Sequence, residues 1–296
     1  MKNLDLNFFP SVSKKDWHQL AEKQLKGAKP EEALKWSNSA NIDLLGYYDQ
    51  SDLTELGYLK DFFDDLPSHR WKLYQRINNP RESEANREGL EALTGGCDGL
   101  IFNLTETPDW NALLENIDTT ICDIGFNSDF KVDLDKYTGP CSNPINGNTL
   151  YAEKSNNPIN QISKLISDIT DQSFIHRFAQ KDFFLEIATI RALRYLLAQK
   201  QLDHVFIHTS APLHESDEHQ WFLNTTVGLS SILGGSHSID LPTAIGNSRI
   251  SRNVGNLIRD ESGIYEYTDQ CGGAFYVEIL TDHIIKKTSK NLENEA

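Results

Sequence analysis

The sequence predicts an α/β protein built as a (β/α)8 TIM-type barrel, shortened relative to a full barrel and preceded by an N-terminal arm. From Trp71 onward, short apolar runs alternate with longer amphipathic runs, which is the pattern of parallel strands covered by helices. About seven or eight strand candidates follow one another, a number that favours a barrel over an open sheet. An open doubly wound sheet is the structural alternative, but no GxGxxG or Walker-type glycine loop supports a nucleotide-binding version of it.

The first half of the barrel region contains three consecutive strand–helix units. Strands are predicted at 71–77, 99–104 and 119–126, and helices at 82–96 and 108–117. Gly95 and Gly96 are stop signals for the first of these helices. Residues 127–160 mix turn formers with short apolar runs, and only the segment NTLYAE is a strand candidate there. Whether this stretch completes the eight strands stays open.

The second half is more regular. Helices are predicted at 159–169, 183–199, 220–235, 248–262 and 275–287, and strands at 173–178, 204–210 and 236–241. The charged tail from Lys286 is expected to fray. The barrel domain therefore covers residues 61–296.

Residues 1–60 form the predicted arm, which we expect to bind a partner. Its helical segment ends at the stop signal Gly27 and offers few apolar side chains besides Trp17, Leu20 and Leu25. So little apolar surface cannot anchor a long segment on its own barrel. A subunit interface would supply the missing burial, with tryptophans such as Trp17 and Trp36 as anchors. The alternative is a helix that caps the bottom of the barrel.

The overall charge restricts the possible partners. The 296 residues include 28 Lys and Arg against 43 Asp and Glu, which gives a formal net charge of −15. Such a field repels nucleic acids and anionic membranes, so neither is expected as a partner. A local basic pocket can still accept an anionic acyl-CoA.

The same sequence predicts a cytoplasmic protein without a metal centre of the cysteine type. No apolar run approaches the roughly 18 residues of a spanning helix, and the first residues lack the apolar stretch of a signal peptide. The four cysteines are scattered without a CxxC pair, so we expect reduced thiols rather than a zinc site or disulfides.

Several blocks of the C-terminal third occur together in a fixed order. They are DFFLEIATIRA at 182–192, HTS at 208–210, LGGSHS at 233–238, SRISRN at 248–253, DESG at 260–263 and DQCGGAFYVE at 269–278. The set resembles the methylmalonyl-CoA mutase family, whose corresponding strings are FFxEIAKxRAxR, TS, xGGxxS, ARIARN, EESG and DPxGGSYYxE. In the arm, Trp17, Ala21, LKG at 25–27, Leu34 and Trp36 resemble the opening of the family's small subunits.

The departures from the family indicate which role the resemblance implies. Catalytic members continue into a domain whose D-x-H-x-x-G motif ligates cobalt, whereas this sequence ends soon after its last predicted helix. Its D-x-H string, at Asp16 and His18, has Ala21 where the motif requires glycine, and the substrate-contacting string GYHMQE is absent. The resemblance therefore implies a small subunit with no catalytic residues, inactive alone. A large catalytic mutase subunit would be its partner, would hold adenosylcobalamin and would supply the conversion of methylmalonyl-CoA and succinyl-CoA.

A residual pocket is predicted at His208, Ser210 and His237, because barrel sites gather at the C-terminal ends of the strands. Relative to the family, His204 replaces an arginine that helps to bind CoA, and His237 replaces a glutamine. Structural histidines are the alternative interpretation of each. A second hypothesis is an acyl-CoA-binding barrel that works with a separate cobalamin-binding domain. A third, a hydrolase or lyase using His208 and His237, lacks a nucleophile and a positioned carboxylate.

Two further groups of polar residues are candidates for binding a metal ion or a CoA phosphate. His214 and His219 lie five positions apart, which does not place them on one helical face, so no metal site is predicted there. The segment between them suits a helix N-terminus. Four helical arginines could cradle a CoA phosphate, although surface ion pairs or partner contacts are the more common role. They are Arg191, Arg194, Arg249 and Arg252.

Overall fold

A seven-stranded parallel sheet forms the centre of the molecule, preceded by a two-stranded antiparallel ribbon in the arm. The computed structural model describes residues 12–59, 70–128, 149–152, 155, 157–170, 174–243, 248–266 and 268–295. The ribbon consists of β1 (Trp36–Ser37) and β2 (Asp43–Leu44). The sheet consists of β3 (Lys72–Ile77), β4 (Gly99–Leu104), β5 (Asp123–Ser128), β6 (Thr149–Tyr151), β7 (Phe174–Phe178), β8 (Phe206–Ser210) and β9 (Ser238–Asp240).

The strand order is that of a βα barrel. The order β5-β4-β3-β9-β8-β7-β6 pairs strands that follow one another along the chain, except β5 and β6, which lie at the two edges. It also pairs the first strand of the sheet, β3, with the last, β9. The predicted α/β class is therefore confirmed, with a curled parallel sheet consistent with a TIM-like barrel. The link from β5 to β6, residues 129–148, lies outside the described part of the chain. An eighth strand and full closure stay a prediction.

Ten helices accompany the strands in the described ranges. They are α1 (Lys14–Gln24), α2 (Pro30–Ala33), α3 (Gln50–Leu53), α4 (Glu82–Thr94), α5 (Trp110–Leu113), α6 (Pro158–Asp168), α7 (Phe183–Gln199), α8 (Asp217–Gly234), α9 (Ser248–Asn256) and α10 (Phe275–Glu295). A π-helical turn, Leu257–Glu261, extends α9. The final helix runs through the tail that was expected to fray, where Thr288 is buried and Leu292 packs against an apolar cluster. No described helix is long and apolar enough to cross a membrane.

The strands place apolar side chains on one face and polar ones on the other. Leu73 and Ile77 of β3, like Leu100 and Phe102 of β4, pack into an apolar cluster beneath the helices. Alternate residues of a strand point to opposite faces, so the residues between them face the inside of the curled sheet. That inner face carries the candidate site.

One polar contact is buried among the helices instead. The guanidinium of Arg177 on β7 and the carboxylate of Glu186 on α7 are both fully buried and joined by two hydrogen bonds, one of 2.9 Å from Nη2 to Oε2. Glu186 also accepts from the backbone N–H of Gln180 and from the hydroxyl of Ser231 on α8. The pair thereby ties β7, α7 and α8 together.

The second half of the arm packs against the barrel helices. Ile42, Leu44, Leu53 and Leu56 are buried in the same apolar cluster as the inner residues of α6, α7 and α10. This packing differs from the expectation that the whole arm stays apart from the barrel core. The expectation rested on the segment 14–35, whereas the apolar residues that make the contact lie after it, in a stretch without helical periodicity.

The first half of the arm is less buried. Trp17 stacks on Tyr47, with ring centroids 4.9 Å apart. Leu20 and Trp36 keep 57% and 45% of their surface exposed, so this half of the arm presents apolar side chains to solvent. The division at residue 60, and the role of the arm in binding a partner, stay predictions.

Candidate binding site inside the barrel

The carboxylate of Asp240, at the end of β9, is the centre of a polar cluster on the inner face of the sheet. It accepts a hydrogen bond from His208 Nε2 at 2.9 Å and a further one from the hydroxyl of Ser210. Arg76 Nη2 lies 3.1 Å from Asp240 Oδ2 and donates to Ser210 Oγ at 2.8 Å. The four residues come from β3, β8 and β9, which are adjacent in the sheet. Parallel pairing in register therefore assembles the cluster.

His176 on β7 extends the cluster by one strand. Its Nε2 lies 2.6 Å from Ser210 Oγ, and its ring meets the ring of His208 edge to face at 4.8 Å between centroids. Because the hydroxyl of Ser210 donates to Asp240, the His176 tautomer that completes the bond carries its proton on Nε2. The other nitrogen, Nδ1, is buried and makes no hydrogen bond to any residue that the structure describes. Within that part of the chain, the cluster thus keeps one imidazole nitrogen without a hydrogen bond.

Burial and neighbouring charges determine which groups in the cluster are ionised. Burial, the adjacent His208 ring and Arg76 hold the pKa of His176 well below its usual value, against the opposing effect of Asp240. Burial by itself would raise the pKa of the Asp240 carboxyl. The Arg76 charge and the hydrogen bond from His208 outweigh this effect and place that pKa below its ordinary range. At neutral pH a neutral His176 therefore faces an ionised Asp240.

A second acidic group lies next to the cluster on the same inner face. Asp123 on β5 accepts hydrogen bonds from Lys72 Nζ and from the Tyr74 hydroxyl, both at 2.5 Å. The ring of Tyr74 stacks on His208 with centroids 5.3 Å apart. Tyr74 thereby fixes one face of the His208 ring.

A pocket of about 530 Å³ opens above the cluster, at the C-terminal ends of the strands. Arg76 and Asp240 contribute to its lining, together with Asn103 at the end of β4 and Lys181 after β7. Ligand sites of βα barrels lie at this end. The polar cluster is therefore accessible to a small molecule from the mouth of the curled sheet.

The structure brings together two of the three predicted pocket residues. His208 and Ser210 both contact Asp240, as described above. His237 lies at the other end of β9, just before the strand begins, where its Nδ1 accepts the backbone N–H of Ile207 and its ring stacks on Phe206 at 5.0 Å. Whether any of the three binds substrate stays a prediction.

Arg76, His176 and Asp240 were not predicted from the sequence. In β9, Ser238 and Asp240 alternate with the apolar Ile239, a pattern that indicates a strand with one polar face. His176 and Arg76 each have a polar neighbour, Arg177 and Gln75, so alternation does not indicate which of the two faces the inside of the sheet.

Arg249 is exposed, and the other histidines and arginines considered as ligands contact protein groups. His214 Nδ1 accepts the backbone N–H of Ser216, and the His214 and His219 rings lie 5.0 Å apart at the start of α8. Arg191 is paired with the carboxylates of Asp269 and Glu278 at 2.7 and 2.9 Å. The remaining contacts are those of Arg194 with the carbonyl of Gly235 and of Arg252 with Gln75 Oε1. Ion pairing is therefore the observed role of Arg191.

The described residues do not fit a cobalamin cofactor at the D-x-H string of the arm. Asp16 caps α1, where its carboxylate accepts from the backbone N–H of Ser13. His18 Nε2 pairs with Glu31 at 2.6 Å. Both side chains of the string thus serve local structure.

Comparison with known proteins connects this fold to one family. The family profile of methylmalonyl-CoA mutase matches residues 166–294, which include β7, β8, β9 and the four helices that follow β7. This matched segment is similar to methylmalonyl-CoA mutases. Four residues of the matched segment contribute directly to the polar cluster: His176, His208, Ser210 and Asp240.

Three relatives illustrate the extent of the homology. The methylmalonyl-CoA mutase small subunit of Porphyromonas gingivalis is 23% identical over 93% of this chain and 61% of its own length. The probable mitochondrial methylmalonyl-CoA mutase of Caenorhabditis elegans is 32% identical over 36% of this chain and 17% of its own length. The methylmalonyl-CoA mutase small subunit of Streptomyces virginiae is 32% identical over 36% of this chain and 20% of its own length. The chain thus spans only part of each mutase that it matches.

Proposed function

We propose that the chain is a small, non-catalytic subunit of an adenosylcobalamin-dependent methylmalonyl-CoA mutase. It pairs with a large catalytic subunit that holds the cofactor, and the heterodimer interconverts methylmalonyl-CoA and succinyl-CoA in the cytoplasm. The isolated chain is inactive. The observation that carries this proposal is the similarity to the Porphyromonas gingivalis small subunit, which extends over 93% of the chain and so includes the arm as well as the barrel.

The exposed apolar residues of the arm support a partner-binding role. Leu20, Leu34 and Trp36 keep 57%, 37% and 45% of their surface exposed. Tryptophan is among the residues that contribute most to binding at protein interfaces. A large subunit that covers this half of the arm would bury these side chains.

Co-expression with a large mutase subunit encoded by the same genome tests the proposal. A tag on this chain is expected to recover a heterodimer that binds adenosylcobalamin and isomerises methylmalonyl-CoA. The chain purified alone is expected to show neither cobalamin absorbance in the visible range nor activity. Stoichiometric cobalamin in the isolated chain, or the absence of any complex, would contradict the proposal.

A second candidate is an acyl-CoA-binding barrel that works with a separate cobalamin-binding domain. It is favoured by the mouth pocket, where Arg76 and Lys181 supply positive charge in an otherwise acidic protein. Calorimetry with methylmalonyl-CoA and succinyl-CoA tests it: binding that weakens in Lys181→Ala but not in the matched exposed-lysine variant Lys23→Ala would favour it. If neither CoA ester binds to the wild-type chain, the second candidate is excluded and the first proposal remains.

A further inference from the structure

The strongest unassigned feature is the buried group formed by His176, His208 and Asp240. Their side chains are 3%, 0% and 1% exposed, and one ligand atom from each lies within 4.8 Å of the other two. We propose that these three residues bind a divalent transition-metal ion of the zinc class.

The donor set suits such an ion. Two imidazole nitrogens and one carboxylate oxygen are ligands that Zn²⁺ and Fe²⁺ commonly accept from proteins, with further positions open to water or substrate. The three residues lie on β7, β8 and β9, where His176 is paired with His208 and Ser210 with Asp240. Because a sheet fixes its backbone rigidly, the ligands are held in place before an ion arrives.

Neighbouring groups orient two of the ligands through contacts with the atoms that would not bind the ion. The hydroxyl of Ser238 lies 2.7 Å from His208 Nδ1, so that Nε2 faces the centre of the group. Arg76 Nη2 lies 3.1 Å from Asp240 Oδ2, so that Oδ1 remains directed toward the histidines. Hydrogen bonds of this kind, made to the far side of a ligand, are typical of metal sites in proteins.

Hydrogen bonds within the group engage the ligand atoms that an ion would use. Ser210 Oγ lies between His176 Nε2 and Asp240 Oδ1, and its contact with His176 is 2.6 Å long. An ion in this position would take the ligand atoms that now share the hydroxyl, with Ser210 as a further oxygen donor. Among the described residues, His176 Nδ1 has no hydrogen-bond partner, so this ring could bind the ion through either of its two nitrogens.

Access and charge set the expected strength of binding. Asp240 and Arg76 also line the mouth pocket, so an ion and its water ligands have a route to the group. The positive charge of Arg76 opposes a cation, and a single carboxylate offsets it. We therefore expect weaker binding than in a closed structural zinc site.

Zinc titration of the full chain by calorimetry tests the site, with visible absorption of bound Co²⁺ as a second readout. One ion per chain is expected. His176→Ala and His208→Ala are each expected to lower the affinity at least about tenfold, and Ser238→Ala about 10–100-fold by releasing the His208 ring. The double variant His214→Ala/His219→Ala removes the other close histidine pair and is expected to leave binding unchanged.

Thermal melting followed by circular dichroism establishes that each variant is folded. If a histidine variant does not fold, Ser238→Ala and the Co²⁺ spectrum of the wild-type chain decide the question. Absence of stoichiometric binding to the wild-type chain would overturn the proposal. So would binding that survives His176→Ala and disappears in the His214→Ala/His219→Ala control.

Discussion

The hydroxyl of Tyr58, at the end of the arm, donates a hydrogen bond to the carboxylate of Glu278 on the last helix. That carboxylate also receives the guanidinium of Arg191 on α7 and the backbone N–H of Gly273. The Tyr58 ring additionally meets Tyr195 edge to face at 5.7 Å. One buried acid thus fastens the arm to two helices of the barrel.

Removal of this hydroxyl in Tyr58→Phe is expected to lower the free energy of unfolding by about 1–2 kcal/mol. The loss stays moderate because Arg191 and Gly273 continue to satisfy Glu278. Urea unfolding measures it, with Tyr265→Phe, a change at a 41% exposed ring, as the control. Equal stabilities of the two variants would show that the Tyr58 bond contributes nothing.

The buried Arg177–Glu186 pair predicts a larger effect. Glu186→Gln leaves the guanidinium of Arg177 fully buried without a counter-charge, and we expect a loss of about 3–5 kcal/mol. The matched control is Glu32→Gln, which breaks the exposed Lys29–Glu32 pair and is expected to cost less than about 1 kcal/mol. Both values come from chemical denaturation at pH 7. Similar losses in the two variants would contradict the assignment of Arg177–Glu186 as a structural pair.

The lowered pKa of His176 predicts a stability that decreases in weak acid. The unfolded chain takes up a proton at this residue as the pH falls below about 6.5, while the folded protein does not until a much lower pH. The stability that comes from keeping His176 neutral is therefore fully present above about pH 6.5. Below that pH the free energy of unfolding decreases by up to about 1.4 kcal/mol per pH unit. Unfolding measured between about pH 7.5 and 5.5 should show this slope.

The variant His176→Gln should have a shallower slope over the same range. The slope should not vanish, because burial also lowers the pKa of His283, which remains in the variant. Equal slopes of unfolding free energy against pH for the wild type and the variant would contradict this prediction. They would mean that His176 takes up its proton at the same pH in the folded and the unfolded protein.

Close packing of α9 on β3 makes Gly255 sensitive to substitution. A Cβ atom there would lie 2.6 Å from Leu73 Cδ1, well inside contact distance. Gly255→Ala is expected to destabilise the protein by about 1–2 kcal/mol, because overpacking outweighs the better helix propensity of alanine. Gly57→Ala, where a Cβ would meet no atom of the described residues within 4 Å, is the control in the same thermal melts. A stability of Gly255→Ala at or above that of the control would contradict the packing.

The exposed face of the arm predicts a binding defect without a folding defect. Under the proposed function, Trp36→Ala should weaken the complex with a large mutase subunit by about 2 kcal/mol or more, since tryptophans at interfaces dominate affinity. Its stability as an isolated chain should change little, because Trp36 is 45% exposed. Ile121→Ala, at an 83% exposed residue outside the arm, should leave both quantities unchanged. Surface plasmon resonance measures the affinity.

Much of the fold was predictable because its elements have strong local patterns. The helix at 183–199 and the strand at 99–104 were predicted with the bounds that the structure shows. The predicted helix at 108–117 shortens to Trp110–Leu113, and the helix predicted at 248–262 changes to a π-helical turn after Asn256. Arg259 in that turn bonds the carboxylate of Asp98 and the carbonyl of Gly96. The hydrophobic periodicity of the sequence, from which the helix was predicted, does not indicate such tertiary contacts.

The candidate site was predictable only in part, for a physical reason. His208 and Ser210 were found because they end a strand, the usual location of barrel sites. Arg76 reaches them through the pairing of β3 with β9, two strands far apart in sequence, and a single sequence does not reveal that pairing. Asp240 lies on β9, the strand after β8, and its contacts with His208 and Ser210 depend on the register of these two strands.

The pairing of β3 with β9 also determines how the chain can fold. Lys72 lies beside Ser238, so the sheet cannot join its first strand to its last until most of the polypeptide has been synthesised. Contacts between such distant segments slow folding, and until β9 arrives one edge of β3 keeps its backbone groups unpaired. Until β9 has been synthesised, β3 therefore presents an open strand edge with which other chains can pair, and the nascent chain is exposed to aggregation at this strand.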